Sequence, residues 1–357
     1  MTTKEKIISA LTTESDFISG EELAAKLNVS RAAIWKSVDA LRNEGYDIEG
    51  VRNGGYRLVS LPDKLSAEKI ENIIKARSVQ PGKIICFEKT DSTNYQAKQC
   101  AILVGSFRDQ TGTFTKSGAE YHRALFAAEE QTSGRGRMGR VFVSPKHSGV
   151  YFSLLYAPKN GLENPALFTA AAAVATCLSI DELYKTNSKI KWVNDIFLGN
   201  KKICGILTEG ISSFETGKIE AAIVGIGINI KNGDFSEDVA KVAGSIEDFL
   251  TSEKKEIPPV SKNELVAHVV SHLLEFYDGF ESKDGELLKK MMTEYQNRSI
   301  LTGKTVHINP AAGMSGETYE AKVLGISENA ELIVETPSGE KKILSSGEVS
   351  LHSFDFV

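Results

Sequence analysis

With 357 residues, 41% of them hydrophobic and 25% charged, the chain has the composition of a globular protein of two or three domains. A net charge of −5 excludes a globally basic nucleic-acid binder and leaves room only for a local basic surface. No apolar run approaches the roughly 20 residues of a membrane span, MTTKEKIIS lacks the apolar core of a secretory signal, and Cys86, Cys100, Cys177 and Cys204 fit no zinc or redox spacing. Reduced, mostly buried thiols in a cytoplasmic protein without membrane contact are therefore expected.

Residues 1–62 form a first domain. Ile7, Ile8 and Leu11 make one apolar stripe of a short helix. Ser19, with Glu22 three positions on, opens a second helix carrying Leu23, Ala24 and Leu27. After a turn at Asn28-Val29, Ser30 caps a third helix whose Ala33, Ile34, Val38 and Leu41 face inward, and Asn43-Glu44-Gly45 stops it. Tyr46–Glu49 and Tyr56–Val59 then read as strands joined at Arg52-Asn53-Gly54-Gly55. This order predicts a winged helix-turn-helix, followed by a linker at Leu61-Pro62-Asp63.

Residues 63–299 predict an α+β domain. Strands are expected at Lys83–Glu88, Leu125–Glu129, Gly149–Tyr156, Lys189–Val193 and Ala221–Ile230, and helices at Asn164–Tyr184 and Asn263–Phe280. Hairpin turns at Gly199-Asn200 and Thr216-Gly217 imply antiparallel pairs, so the sheet is mixed. The polar, aperiodic segment Ser106–His122 reads as a long mobile loop. In residues 300–357, short strands at Thr305–Ile308, Thr318–Ile326, Glu331–Thr336 and Lys341–Leu344 predict a small SH3-like β-barrel.

Five constellations carry candidate chemistry. Gly134-Arg135-Gly136-Arg137-Met138-Gly139-Arg140 suits close approach of an anion to backbone amides, or is a basic surface loop. Within Lys191-Trp192-Val193-Asn194-Asp195, an extended run puts Lys191, Val193 and Asp195 on one face; the Asn-Asp pair either holds a ligand or makes an Asx-turn. Lys202, entering the apolar run Ile203-Cys204-Gly205-Ile206-Leu207, is either aimed into a pocket or a solvated edge lysine. Gly225-Ile226-Gly227-Ile228-Asn229 lacks the last glycine and following helix of a dinucleotide fingerprint; glycines in a strand mark close approach by a ligand or backbone. Asp91-Ser92-Thr93-Asn94 reads first as a helix N-cap. His268 and His272, four apart on an otherwise apolar helix, read as packing or surface residues.

Together, in this order and spacing, DSTN, GRGRMGR, KWVND, KKICGIL and GIGIN resemble the biotin–protein ligases. SRAAIWKSVDALRNEG and NGGYRL resemble the DNA-binding domain of their bifunctional subgroup, the biotin operon repressors, and the likeness covers nearly the whole chain. The resemblance implies an α+β ligase domain of the biotin/lipoate type. It also implies activation of biotin by ATP, with Mg²⁺ on the phosphates, to biotinyl-5′-AMP, and transfer to a lysine of a biotin carboxyl carrier protein. Carried over to this sequence, Arg137, Lys202 and Asp195 are the catalytic candidates. Ser92, Thr93, Asn94, Gln131, Gly134, Arg135, Lys202, Gly205, Leu207, Gly227 and Ile228 are implied for biotin, and Arg137, Arg140, Phe142, Asn194 and Asn229 for ATP or the adenylate. For Asp195 the resemblance leaves two roles open, metal contact or orientation of the incoming amine, and no metal ligand is otherwise assigned. Val193 stands where the family has proline, Phe142 where tryptophan is common, and the 106–122 segment is longer than expected.

For the N-terminal arm the resemblance implies operator DNA, bound by a homodimer with biotinyl-AMP as corepressor. Residues 1–60 hold eight Lys/Arg against nine Asp/Glu, but Arg31, Lys36, Arg42, Arg52 and Arg57 gather on the third helix and wing. Ser30, Arg31, Ala32, Lys36 and Arg52 are the candidate DNA contacts. Two other readings stay open: a biotin-sensing repressor with weak or no ligase activity, and a lipoate-type ligase.

Overall fold

The structure, a computed structural model, describes residues 2–14, 16–52, 54–162, 164–212, 217–233, 235–309, 318–345 and 348–351. By its contacts the chain divides into two units, Met1–Lys64 and Leu65–Val357.

The first unit contains α1 (Thr3–Thr13), α2 (Gly20–Leu27), α3 (Arg31–Asn43) and the antiparallel hairpin of β1 (Asp47–Val51) and β2 (Gly55–Ser60). Side chains at the helix starts satisfy backbone donors that lack an intrahelical partner. Ser19 Oγ accepts from Glu22 N (3.0 Å) and Ser30 Oγ from Ala33 N (3.2 Å). Asn28 ends α2 in the left-handed region, at φ 52°. Ile7, Leu11, Ile18, Leu23, Ile34, Val38, Leu41 and Ile48 share one core. Ile18 pairs with Tyr56, adding a one-residue third strand to the wing. Gly55, at φ 107°, lies against the Ile18 carbonyl where a Cβ would collide, so both space and backbone demand glycine. Asn53 of the expected turn lies outside the described residues.

The second unit opens with α4 (Ala67–Ala76) and builds a seven-stranded sheet. Its elements in chain order are β3 (Ile84–Phe87), α5 (Thr93–Val104), α6 (Lys116–Tyr121), β4 (Ala124–Ala128), β5 (Gly149–Tyr156), α7 (Pro165–Tyr184), β6 (Lys189–Lys191), β7 (Asp195–Leu198), β8 (Lys201–Ser212) and β9 (Ile219–Asn229). Then follow α8 (Glu237–Ala240), α9 (Ile246–Ser252), α10 (Lys262–Ser282) and α11 (Gly285–Asn297). Strand order is β3-β4-β5-β9-β8-β7-β6; β3 and β4 are parallel and the other neighbours antiparallel. The chain finishes in a five-stranded antiparallel sheet of β10 (Thr305–Asn309), β11 (Tyr319–Ile326), β12 (Leu332–Glu335), β13 (Lys341–Leu344) and β14 (Glu348–Leu351), ordered β13-β12-β11-β10-β14.

The period of two along β9 locates the site. Ala222, Val224, Ile226 and Ile228 join the main core, which also holds α7 and α10. On the opposite face Ala221 and Ile223 pack with Ala97 and Ala101 of α5. Further along that face come Gly225 and Gly227, with no side chain to fill the space beyond the start of α5.

Several expectations need correction. Residues 106–122, expected as one long loop, end in the helix α6 and are anchored before it: Phe107 is buried, the Arg108 guanidinium lies 3.5 Å from the Phe114 ring centroid, and Thr115 caps α6. Their polarity reflects local bonds, such as Asp109 Oδ1 accepting from Thr111 N (2.8 Å) and Glu220 accepting from Phe107 N (2.5 Å). Lys189–Val193 is not one strand. Lys191 ends β6, the Trp192–Val193 peptide is cis, and the chain reverses so that Lys191 pairs with Asp195 at the start of β7. α7 is long and apolar enough to cross a membrane by length and composition, contrary to the expectation of no such run, yet 67% of its apolar window is buried inside the protein. Thr216 of the expected second hairpin turn lies outside the described residues. All four cysteines are free; Cys177 and Cys204 are buried, and burial pushes the Cys177 thiol up to about 12.

Candidate functional site

A cavity of about 170 Å³ opens over the glycine-floored half of the sheet. Its floor comes from register: Gly205 on β8 stands opposite Gly227 on β9, and Leu207 opposite Gly225. The Phe142 ring covers this floor. A Cβ on Gly227 would come 2.5 Å from the ring and one on Gly205 3.0 Å from it, so the missing side chains make room for an aromatic or ligand face.

One wall is the N-terminus of α5. Ser92 holds the N-cap position without a side-chain capping bond, contrary to the capping role expected. Asp91 organises this corner instead, its Oδ1 accepting from Ser92 N (2.6 Å), Gln96 Nε2 (2.9 Å) and Thr90 Oγ1 (3.1 Å). Burial alone would raise the Asp91 pKa; these donors hold it below its ordinary value. Thr93 N donates to Gln131 Oε1 (2.8 Å), and Gln131 Nε2 donates to Ser144 Oγ (2.9 Å). Asn94, buried above Gly225, donates through Nδ2 to Glu209 Oε2 (2.6 Å).

The glycine-arginine segment forms a tight hairpin over the opposite side. Arg135 pairs with Val141, Gly136 N donates to Arg140 O (2.7 Å) and Phe142 N to Gly134 O (2.9 Å). Met138 and Gly139 turn the tip with φ of 55° and 74°. Gly134 lies against the Phe142 carbonyl where no Cβ fits, so its glycine serves the hairpin. Arg137 NH1 donates to Asn194 Oδ1 (3.1 Å), tying the hairpin to the turn between β6 and β7. Asn194 is itself fixed, donating through Nδ2 to Ile206 O (2.9 Å). Lys202 Nζ lies 2.7 Å from Asp195 Oδ1. Five cationic residues, Arg135, Arg137, Arg140, Lys191 and Lys202, thus line one small cavity, where they would favour a ligand carrying negative charge.

Of the expected ligand residues, Ser92, Thr93, Asn94, Gln131, Arg135, Arg137, Arg140, Phe142, Asn194, Asp195, Lys202, Gly205, Leu207 and Gly227 line this cavity. Three do not. Gly134 acts through the hairpin, the Ile228 side chain alternates into the core, and Asn229 is spent on Gly244 O (3.1 Å). The site residues carried over from the sequence did not include Gly136, Met138, Val141, Lys191, Trp192, Ile206, Gly225, Ile226 and Val349, which also form the lining. Gly225 was readable from the period of two that links it to Gly227; Val349 had no local signal. Among the described residues no group of three or more His, Cys, Asp or Glu side chains is placed to hold a metal.

On the first unit, Arg31, Ala32 and Lys36 are exposed along α3, as are Ser30 at the helix cap and Arg52 in the wing. Trp35, between them on α3, is 63% exposed and was missed. Arg42 and Arg57, counted in the basic surface, have internal partners: Arg42 Nε donates to Ile48 O (2.9 Å) and Arg57 pairs with Glu49 (2.6 Å).

Comparison with known proteins converges on one family. The Biotin/lipoate A/B protein ligase family matches residues 104–229, an HTH domain residues 3–57, and the Biotin protein ligase C terminal domain residues 311–352. The chain is 32% identical over 334 residues to the bifunctional ligase/repressor BirA of Bacillus subtilis (strain 168), covering 93% of each. It is 31% identical over 334 residues to the protein of the same description from Bacillus spizizenii, again covering 93% of each. Among solved structures, the biotin protein ligase from Aquifex aeolicus in complex with biotin and ATP superposes with a TM-score of 0.58 at 24% identity, over 76% of this chain and 98% of that one, a likeness of fold. The chain belongs to the bifunctional biotin–protein ligase/repressor family.

Proposed function

We propose that the cavity over Gly205, Gly225 and Gly227 is where the chain joins biotin to ATP and passes it to an acceptor lysine. One observation carries this reading: five cationic residues line a slot whose floor lacks side chains, beside a wall of hydroxyl and amide groups. The flat apolar slot suits a ring system, the polar wall its hydrogen-bonding end, and the cations a carboxylate meeting a phosphate.

In this mechanism the biotin carboxylate oxygen attacks the α-phosphorus of ATP, the bond to the bridging oxygen breaks, and pyrophosphate leaves. Two anions must approach, so the first task of the site is charge neutralisation. Lys202 is assigned to carboxylate and phosphate together, Arg137 and Arg140 to phosphate, and Arg135 to covering biotin. Phe142 and Asn194 border the nucleotide. In the second half-reaction the acceptor lysine amine attacks the anhydride carbonyl, loses a proton, and AMP leaves; orientation of that amine is the role assigned to Asp195. Asp195 already pairs with Lys202, and among the described residues no other carboxylate lines the cavity. Mg²⁺ would therefore be held mainly by the nucleotide's own phosphates, where it offsets their charge.

The acceptor is a biotin carboxyl carrier protein, and the work is assigned to the cytoplasm, consistent with four free thiols. The DNA-binding domain, assigned to residues 1–62 within the first unit, binds operator DNA through Ser30, Arg31, Ala32, Lys36 and Arg52. The adenylate favours a homodimer that presents two such helices to a two-fold site. The hairpin at residues 134–140 and the stretch after Asn229 are the elements whose ordering would build that interface. The catalytic domain is assigned to 63–299 and the barrel to 300–357.

Incubation with biotin, MgATP and a carrier domain, followed by intact-mass measurement, tests the reading. The carrier is expected to gain one biotinyl group, only when ATP is present. Tight biotin binding without any gain would favour a sensing repressor lacking ligase activity; lipoate outcompeting biotin would favour the lipoate-type alternative.

A further inference from the structure

Behind the polar wall runs a chain of hydrogen bonds with one fixed end. Asn94 is 4% exposed and its two terminal side-chain atoms have different neighbours. One faces Glu209 Oε2 at 2.6 Å and Leu207 O at 3.3 Å. Both neighbours are acceptors, so this atom must be the amide nitrogen. The other, Oδ1, lies above Gly225, where a Cβ would collide with it, and faces Ser153 Oγ at 2.6 Å.

The consequence passes along the chain. Ser153 is fully buried, and its single proton lies between Asn94 Oδ1 (2.6 Å) and Thr93 Oγ1 (2.7 Å). An amide oxygen carries no proton, so Ser153 must give its own to Asn94. The Thr93 hydroxyl must then supply the proton between itself and Ser153. Gln131 Oε1 is already served by Thr93 N at 2.8 Å, against 3.2 Å to the hydroxyl. Thr93 Oγ1 is left with free lone pairs, on a residue that lines the cavity.

We infer that Glu209, which does not itself line the cavity, is a positioning residue for the ligand. By fixing the Asn94 amide it orders the chain Thr93–Ser153–Asn94–Glu209 in one direction. That turns the Thr93 hydroxyl into an acceptor for an N–H donor of the bound ring. The inference rests on the biotin reading: biotin's cyclic urea carries N–H donors, whereas a ring bearing only an acceptor at that place meets lone pair against lone pair. Glu209 thereby selects the hydrogen-bond polarity of the ring without touching it.

The test is Glu209→Gln in the full-length protein, which keeps the shape but lets the Asn94 amide turn round. Calorimetric biotin affinity is expected to fall about tenfold, the worth of one well-placed hydrogen bond. The KM for ATP, and kcat at saturating biotin, should stay within about twofold. Preference for biotin over a cyclic carbamate analogue, in which oxygen replaces a urea N–H, should narrow. Because Glu209 acts through Ser153, the same substitution made in Ser153→Ala should cost little further affinity. Unchanged biotin affinity in Glu209→Gln, an equal loss in both backgrounds, or a parallel rise in the KM for ATP would overturn the proposal. Failure of the unmutated protein to bind biotin would instead overturn the reading beneath it.

Discussion

Lys202 Nζ lies 2.7 Å from Asp195 Oδ1, joining two neighbouring strands at the cavity edge. Each side chain is about three-quarters buried, at 26% and 23% exposure, so the pair is aimed and partly desolvated, unlike a solvated edge lysine. Lys202→Ala is expected to slow adenylate formation by about 10²–10³, the usual worth of one preorganised charge at a reacting centre. Single-turnover release of pyrophosphate is the measurement. A near-normal rate would remove Lys202 from the mechanism.

Arg137 links the hairpin to Asn194 across the cavity. Arg137→Gly removes that tie and a cation beside the phosphate site. The adenylate is expected to escape before transfer and to label lysines of an unrelated bystander protein. Bystander labelling no higher than with the unmutated enzyme would show that Arg137 does not retain the intermediate.

Gly227→Ala places a methyl 2.5 Å from the Phe142 ring. The ring must move or the strand must bow, a strain typically worth about 1–3 kcal/mol. Biotin affinity is expected to fall by roughly tenfold or more, with a smaller change in unfolding midpoint; partial recovery in Gly227→Ala with Phe142→Leu would identify the ring as the cause. Calorimetry of both variants decides this.

His122 gives the chain a pH signature. Burial, reinforced by the Arg123 and Arg108 guanidinium groups, pushes its pKa down to about 3 from 6.5. Ala157 N donates to its Nδ1 (3.2 Å), and Phe114 and Tyr156 flank the ring. The unfolded chain binds this proton between pH 6.5 and 3 while the folded one does not. The stabilisation is present above pH 6.5 and lost as pH falls toward 3. Denaturant unfolding from pH 7 to 4.5 should show a smaller loss of stability for His122→Phe than for the unmutated protein. Parallel curves would refute this.

The sequence revealed elements whose signals are local. Ser19 and Ser30 each bond the backbone donor three residues on, and β5 spans Gly149–Tyr156 as the apolar run suggests. It was less informative wherever geometry depends on distant partners. Asp109 and Thr115 look like loop residues, yet they fold 106–122 around buried Phe107. Lys191 and Asp195, two steps from Val193 in an extended reading, face each other across a chain reversal. Ile228 followed the strand's period into the core, which the motif alone did not reveal. Glu209 and Ser153 carry no motif, and only the stacking of β5, β8 and β9 beside α5 brings them to Asn94.

The C-terminal sheet is tied directly to the cavity wall. Trp192 Nε1 donates to Ala330 O (2.9 Å), Gln296 Nε2 to Ile326 O (2.9 Å), and Val349 lines the cavity. Val306, Val323, Leu332 and Val334 belong to the same apolar core as Tyr295 and Ile190. A gene-level exchange with its junction at residue 300 would thus strip Trp192 of its acceptor and open a core that no replacement sheet was shaped to close. These last strands therefore belong to the wall of the cavity and to the core of the second unit.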